Sequence, residues 1–300
     1  MKVVLSGDID AGEWQAWRAA LAAALPEAAW LTADEARRDP GEVHVAVVAN
    51  PPPGGLAPLH GLRLIQSLWA GVDRLLADTT LPPAVPIARM VDPAMSAAMA
   101  ETALWATLAL HRGFFAYQQR QRAGEWRQHR QRRVDEVPVL VLGRGEMGRA
   151  VAERLRPQGY PVTTWGREGG PLPPLLAAHE IVINLLPLTD LTRGLLDARF
   201  FAAMRERSAL VNLGRGGHVV DEALLAALDA GHLRHAVLDV FHAEPLPASH
   251  RFWTHPGVTM LPHAAALTDH RSAAAVVAAN LRALLDGRPI AHVVDRARGY

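Results

Sequence analysis

Short, almost wholly apolar runs alternate along this chain with longer stretches of helical period. Toward the amino terminus the runs Val3–Ser6, Val43–Val48 and Leu64–Leu68 read as strands, and the Ala-rich segment Glu13–Leu25 as a helix. Ile87–Met90 reads as one more strand. Asp92-Pro93 then supplies a cap and first-turn pair for a long apolar helix that the pattern carries to about Gln121. From Val137 the alternation becomes regular, with predicted strands Val137–Leu142, Val162–Trp165, Ile181–Leu185, Ala209–Leu213, His235–Val240 and Val258–Leu261. Helical segments separate them, notably Gly148–Leu155, Asp197–Met204 and Asp221–Ala230, and Thr268–Leu285 forms a last helix. Strands that are continuously apolar belong to parallel sheets covered on both faces. The expected fold class is therefore α/β: a Rossmann-type doubly wound parallel sheet with a second, smaller, flavodoxin-like α/β domain. Residues 1–92 and 268–300 are expected to form the smaller domain, and residues 93–267 the larger, doubly wound one.

The first chemistry lies at the turn after Val137–Leu142. Gly143-Arg144-Gly145-Glu146-Met147-Gly148 is a G-x-G-x-x-G match placed after a strand and opening a helix, the context in which the motif binds a dinucleotide. Two glycines allow the tight turn and close approach of a pyrophosphate, the third allows helix to pack on strand, and the helix amides face the phosphates. An NAD site usually carries an acid about 20 positions further on, for the ribose 2'-hydroxyl. Here Gly166 and Arg167 occupy that region, and an arginine welcomes a 2'-phosphate. NADPH is expected to be the preferred cofactor, and Glu168 keeps NADH possible.

Composition narrows the partners. Hydrophobic residues make up 50% of the chain, enough for a sizeable core without metals or disulfides. Cysteine is absent, which excludes disulfides, thiolate zinc sites and a cysteine nucleophile. With 31 Lys plus Arg against 30 Asp plus Glu there is no global field to recommend nucleic acid. The basic cluster Arg120–Arg133 reads as a solvated helix end and loop. The amino-terminal apolar run is too short for a signal peptide, and no stretch reaches the ~20 apolar residues of a membrane span, so a cytoplasmic location is expected. His218, His235, His242, His255 and His270 lack metal-ligand spacing, and no metal is expected.

Three further stretches carry the reactive groups: Asn212–Asp221 with Arg215, Leu238–Leu246 with Glu244, and Leu261-Pro262-His263. Each follows a strand-like run. An arginine holds a carboxylate through two parallel hydrogen bonds, and a histidine paired with a glutamate is a tuned proton donor. Beside a dinucleotide loop, this combination reads as a kit for reducing a 2-keto acid.

These stretches, with Asn184-Leu185-Leu186-Pro187-Leu188-Thr189 and Thr192-Arg193-Gly194-Leu195-Leu196, resemble the D-isomer-specific 2-hydroxyacid dehydrogenases over nearly the whole chain. Ser67-Leu68-Trp69-Ala70-Gly71-Val72-Asp73 and the terminal Val294–Tyr300 are most similar to the bacterial glyoxylate/hydroxypyruvate reductase group of that family. The resemblance implies that Arg215 binds the substrate carboxylate and polarises its keto oxygen, that His263 protonates that oxygen, and that Glu244 orients the imidazole and raises its pKa. It also implies that Leu186, Pro187 and Asp239 bind the cofactor, Asp239 at the nicotinamide carboxamide. The backbone amides of Ala70, Gly71 and Val72 would hold the other side of the substrate carboxylate, with Trp69 and Asn50 lining the pocket. The implied reaction is NADPH-dependent reduction of small 2-keto acids, glyoxylate to glycolate and hydroxypyruvate to D-glycerate, in a cleft that closes on the acid. Burial of the helix Ala94–Tyr117 against its counterpart suggests a homodimer. Ala264-Ala265-Ala266 departs from the family, in which a bulkier residue and then Gly often follow the histidine, and this bears on substrate preference. Two alternatives stay open. One is another specificity, phosphoglycerate or D-lactate, decided by a pocket involving Asn50, Trp69 and the segment around Trp126. The other is a non-catalytic, dinucleotide-sensing binding protein.

Overall fold

The computed structural model describes residues 1–300. It contains two compact units, Met1–Met95 with Thr268–Tyr300, and Ser96–Leu267.

In the first unit the elements run β1 (Lys2–Gly7), α1 (Ala11–Ala24), β2 (Ala29–Leu31), α2 (Ala33–Arg38), β3 (Val45–Ala49), β4 (Leu64–Ser67), α3 (Asp73–Leu76) and β5 (Ile87–Ala88). The strands are all parallel in the order β2-β1-β3-β4-β5. This is the flavodoxin-like order, whose winding reverses between β1 and β3. Every residue of β3 is buried, as a central strand covered on both faces requires. One face carries Val4, Ala46, Val48, Ile65 and Ile87 into a common core. Helix α1 packs against the carboxy-terminal helix His270–Leu285, and the edge of the Trp17 ring meets His270 at 6.2 Å. That last helix starts two residues later than its periodicity suggests, because the Asp269 side chain accepts the Arg271 N–H at 2.9 Å and caps it.

Helix α4 (Pro93–Arg112) carries the chain into the second unit, so the division falls inside a helix at Met95–Ser96 rather than at residue 92. The single helix expected to run to Gln121 is two helices, α4 and α5 (Phe114–Arg122). Gly113 interrupts them with φ +72°, and a Cβ at that position would lie 2.3 Å from the His129 ring. There follow β6 (Val139–Leu142), α6 (Glu146–Leu155), β7 (Val162–Trp165), α7 (Pro173–Ala178), β8 (Ile181–Asn184), α8 (Ala198–Ala203), β9 (Ser208–Asn212), α9 (Asp221–Asp229), β10 (Leu233–Leu238) and β11 (Val258–Met260).

Their parallel sheet has the order β11-β10-β9-β8-β6-β7, with reversal between β6 and β8. Alternate residues feed opposite faces. Val139, Val141, Ile181, Ile183, Val211 and Val237 enter one core, and Leu140, Leu142, Val182, Leu210 and Leu238 the other. Each such side chain contributes roughly 1.5–3 kcal/mol by leaving water, which is why the strands tolerate so few polar residues. Polarity returns at the carboxyl ends of the strands, where an open α/β sheet binds its ligands. Asn184 ends β8 and Asn212 ends β9, paired in register.

Candidate active site

The loops after β6, β8, β9, β10 and β11 all leave the carboxyl edge of this second sheet. The loop after β6 is Gly143–Gly145. Gly143 has φ +122°, and a Cβ there would press on the Leu185 carbonyl oxygen at 2.9 Å. A Cβ on Gly148 would come within 2.0 Å of the Gly143 carbonyl oxygen, so the turn closes on the helix only with glycine at both positions. At Gly145 the space where a Cβ would stand is open. Helix α6 begins at Glu146, two residues before its predicted start, so its free amides lie directly beyond that opening. An exposed loop with an open glycine at the start of a ten-residue helix fits a dinucleotide pyrophosphate. Arg144 and Arg167 are both exposed near the end of β7. Arg144 Nη2 donates to the Thr164 carbonyl at 3.1 Å, and its side chain lies along Gly166.

The loop after β9 carries Arg215. A Cβ on Gly216 would run into the Phe241 main chain at 1.9 Å, so glycine lets this loop pack against the next one. Arg215 is half-buried, and its Nη1 donates to the Gly214 carbonyl at 2.8 Å. After β10, Glu244 folds back so that Oε1 accepts the Phe241 N–H at 2.8 Å, and the Glu244–Pro245 peptide is cis. After β11, His263 sits at φ +53°.

His263 and Glu244 meet, with Nδ1 to Oε2 at 2.7 Å. This hydrogen bond, joined by the Glu244 charge and by Asp239, raises the imidazole pKa above its ordinary 6.5, against opposition from burial and from Arg215. Burial pushes the Glu244 carboxyl up, but its bonds from His263 and Phe241 and the charges of His263 and Arg215 hold it below its usual value. The two shifts favour the ionised glutamate and the protonated imidazole, and the Arg215 charge acts on both. A cationic donor and a guanidinium can receive a carboxylate and protonate a neighbouring oxygen.

Asp239, expected at the cofactor, is 2% exposed and has a structural task. Its Oδ1 accepts the Ala264 and Ala265 N–H groups at 2.7 and 3.0 Å, and its carbonyl accepts the His263 N–H at 2.8 Å. Burial raises its pKa, and these amide bonds pull the other way.

His218, read from the sequence only as lacking metal-ligand spacing, is fully buried beside Asn184. Asn184 Nδ2 donates to Asn212 Oδ1 and to His218 Nδ1, both at 2.9 Å. The signal was present as two asparagines closing apolar strands, where any buried polar residue needs a partner.

Asn50 and Trp69–Val72 belong to the first unit. Asn50 follows β3 at φ +49°. Trp69 follows β4, its N–H donating to Ser67 Oγ at 3.0 Å and its carbonyl accepting the Met90 N–H at 3.0 Å. In the basic segment, Arg132 pairs with Glu180 and Arg133 with Asp135, while Arg120 Nη1 donates to the Arg127 carbonyl at 2.8 Å. No helix is long and apolar enough to cross a membrane.

Residues 104–265 match the family model described as D-isomer specific 2-hydroxyacid dehydrogenase, NAD binding domain. A glyoxylate/hydroxypyruvate reductase A of Serratia proteamaculans is 38% identical over 95% of this chain and 96% of its own length. The chain belongs to the D-isomer specific 2-hydroxyacid dehydrogenases. Among solved structures, a D-isomer specific 2-hydroxyacid dehydrogenase from Xanthobacter autotrophicus Py2 in complex with NADPH and MES matches with a TM-score of 0.93 and 36% identity, covering 100% of this chain and 99% of that one. An NADPH-dependent glyoxylate/hydroxypyruvate reductase from Sinorhizobium meliloti in complex with NADP and sulfate matches at 0.90 and 32%, over 100% and 99%. As a member of this family, the dehydrogenase uses a nicotinamide dinucleotide, and the Gly143–Gly148 loop lies inside the matched NAD-binding segment.

Proposed function

We propose that this dehydrogenase reduces small 2-keto acids with NADPH, glyoxylate to glycolate and hydroxypyruvate to D-glycerate. The observation that carries the reading is the 2.7 Å bond between His263 Nδ1 and Glu244 Oε2, at the same sheet edge as Arg215 and the glycine loop. Gly143, Arg144, Gly145, Glu146, Met147 and Gly148 would hold the pyrophosphate side of the cofactor, Arg167 its 2'-phosphate, and Leu186 and Pro187 the strand-end side. When bound, NADPH supplies the hydride.

Arg215 receives the carboxylate of the acid and polarises its keto oxygen. His263 delivers a proton from Nε2, since Nδ1 is engaged by Glu244, and Glu244 keeps the ring charged until that transfer. Ala70, Gly71 and Val72 are assigned to the substrate carboxylate, and Trp69 and Asn50 to the pocket wall, from their match to the family pattern. The assignment of Asp239 to the carboxamide rests on the same match and adds to its hold on the turn.

Support for NADPH comes from the two exposed arginines at the end of β7, Arg144 and Arg167, and from relatives bound to NADPH or NADP. The reading includes a cytoplasmic homodimer. Trp105 (41% exposed), Leu108 (38%) and Phe114 (56%) on α4 and α5 are large apolar side chains that association would cover. A steady-state panel of glyoxylate, hydroxypyruvate, pyruvate and longer 2-keto acids with NADPH and NADH tests the substrate class. The highest kcat/KM is expected for glyoxylate and hydroxypyruvate with NADPH; a maximum at pyruvate or at a longer 2-keto acid would replace the reading with another specificity. Absence of turnover with every acid would favour a dinucleotide-sensing role.

A further inference from the structure

Beneath Arg215 lies a fully buried polar cluster of His218, Asn184 and Asn212. His218 Nδ1 receives the side-chain amide of Asn184 at 2.9 Å and the backbone N–H of Arg215 at 3.3 Å. Both neighbours can only donate, so Nδ1 carries no proton and the imidazole is the neutral Nε2–H tautomer. That Nε2–H donates to the carbonyl of Pro187 at 3.2 Å. Asn184 also accepts the Leu186 N–H through Oδ1 at 3.3 Å and donates to Asn212 Oδ1 at 2.9 Å. Asn212 in turn accepts the Gly214 N–H at 3.3 Å and donates to the Arg215 carbonyl at 3.1 Å. Three side chains thus hold the main chain of the loop after β8 at Leu186 and Pro187, and that of the loop after β9 at Gly214 and Arg215.

We infer that His218, with Asn184 and Asn212, is a positioning residue that locks the substrate-binding arginine to the loop lining the cofactor, so that carboxylate and nicotinamide are presented in one register. The inference rests on the reading of Arg215 as the carboxylate-binding group. Ionic or apolar replacements cannot serve here, because the site needs an acceptor toward Arg215 and a donor toward Pro187 on one rigid ring. The two ends of that ring are separable by substitution. His218→Gln keeps a donor near the Nε2 position and loses the acceptor toward Arg215. His218→Asn keeps an acceptor near Nδ1 and loses the donor toward Pro187.

The test compares both variants, Arg215→Ala and the double variant His218→Gln/Arg215→Ala, measuring KM and kcat for the keto acid and, separately, Kd for NADPH by fluorescence titration without substrate. His218→Gln is expected to raise KM for the acid on the order of tenfold with Kd for NADPH unchanged, the loss of one hydrogen bond in a buried network. His218→Asn is expected to do the reverse, weakening NADPH while leaving the acid KM near wild type. In the Arg215→Ala background, His218→Gln should add nothing. Equal shifts of both constants in both variants, or additive effects in the double variant, overturn the inference. If Arg215→Ala itself leaves KM unchanged, the reading of Arg215 fails and takes the inference with it; if Arg215→Ala raises KM and His218→Gln does not, only the inference fails. Should His218→Gln not fold, Asn212→Ser removes the amide donated to the Arg215 carbonyl and carries the same expectation.

Discussion

The N–H of His263 donates to the main-chain carbonyl of Asp239 at 2.8 Å, and the carboxylate of the same aspartate accepts the two amides that follow His263's neighbouring peptide, Ala264 and Ala265. One buried residue at the end of β10 therefore holds the left-handed turn that presents His263. Replacing Asp239 by Ala strips the acceptor from two amides, which costs roughly 2–4 kcal/mol if both are left unsatisfied. Asp239→Asn retains an acceptor and is expected to cost less than half as much. Urea unfolding of the two variants measures the difference, and equal stabilities would show that the turn is held by other contacts.

The Glu244–His263 bond sets a pH dependence with a defined sign. With His263 as the proposed proton donor, kcat/KM for keto-acid reduction should fall as pH rises through a value above the ordinary 6.5 of histidine. Removing the carboxylate with Glu244→Gln lowers the imidazole pKa and moves this limb to lower pH. Stability follows the same linkage. The raised histidine contributes stability that is fully present below its unfolded pKa and is lost as pH rises through the folded one. The lowered Glu244 contributes stability present above the ordinary 4.5 and lost as pH falls through its folded value. A limb unmoved by Glu244→Gln would mean that another group sets it.

Substitutions at Gly145 and Gly148 are both expected to weaken NADPH binding but to differ in stability. Gly145→Ala places its methyl in open space at φ −73°, so the fold should melt within a degree or two of wild type, while NADPH binding weakens by about tenfold or more as the methyl occupies ligand space. Gly148→Ala forces a methyl against the Gly143 carbonyl and should lower both stability and binding. Thermal melting beside fluorescence titration distinguishes them; unchanged NADPH affinity in Gly145→Ala would place the pyrophosphate elsewhere.

Arg167 should act on the 2'-phosphate alone. Arg167→Ala is expected to raise KM for NADPH by roughly 10–100-fold, the worth of a charge-assisted contact, with NADH kinetics little changed. A parallel loss for both cofactors would assign the residue to the fold or the pyrophosphate. An unchanged preference would remove it from cofactor selection.

Where a signal was local, the chain was readable. The apolar strands of the second sheet announce themselves because alternate side chains enter two separate cores, and Gly143 and Gly148 stand where a Cβ would press on main-chain atoms. The pairing of His263 with Glu244 is implied by the family resemblance, and the 2.7 Å bond between them is seen directly. Short elements escaped: β2 has three residues, and α2 announces itself only by the capping box in which Thr32 and Glu35 exchange hydrogen bonds. The break at Gly113 escaped because the apolar period continues through it, whereas its positive φ and its contact with His129 depend on the folded chain. The roles of His218 and Asp239 were hidden for a related reason. Each acts through backbone amides and carbonyls brought close by parallel pairing of β8 with β9 and of β10 with β11, and sequence separation says nothing about such neighbours.

The most direct test is NADPH oxidation by wild type and His263→Ala with hydroxypyruvate at saturating concentrations, together with NADPH binding to both proteins. Sustained turnover by the wild type, a fall in kcat of about 10²–10⁴-fold in His263→Ala and near-equal NADPH affinity are the results expected of a proton donor. A His263→Ala variant that keeps the wild-type kcat would contradict the proton-donor role on which the account depends.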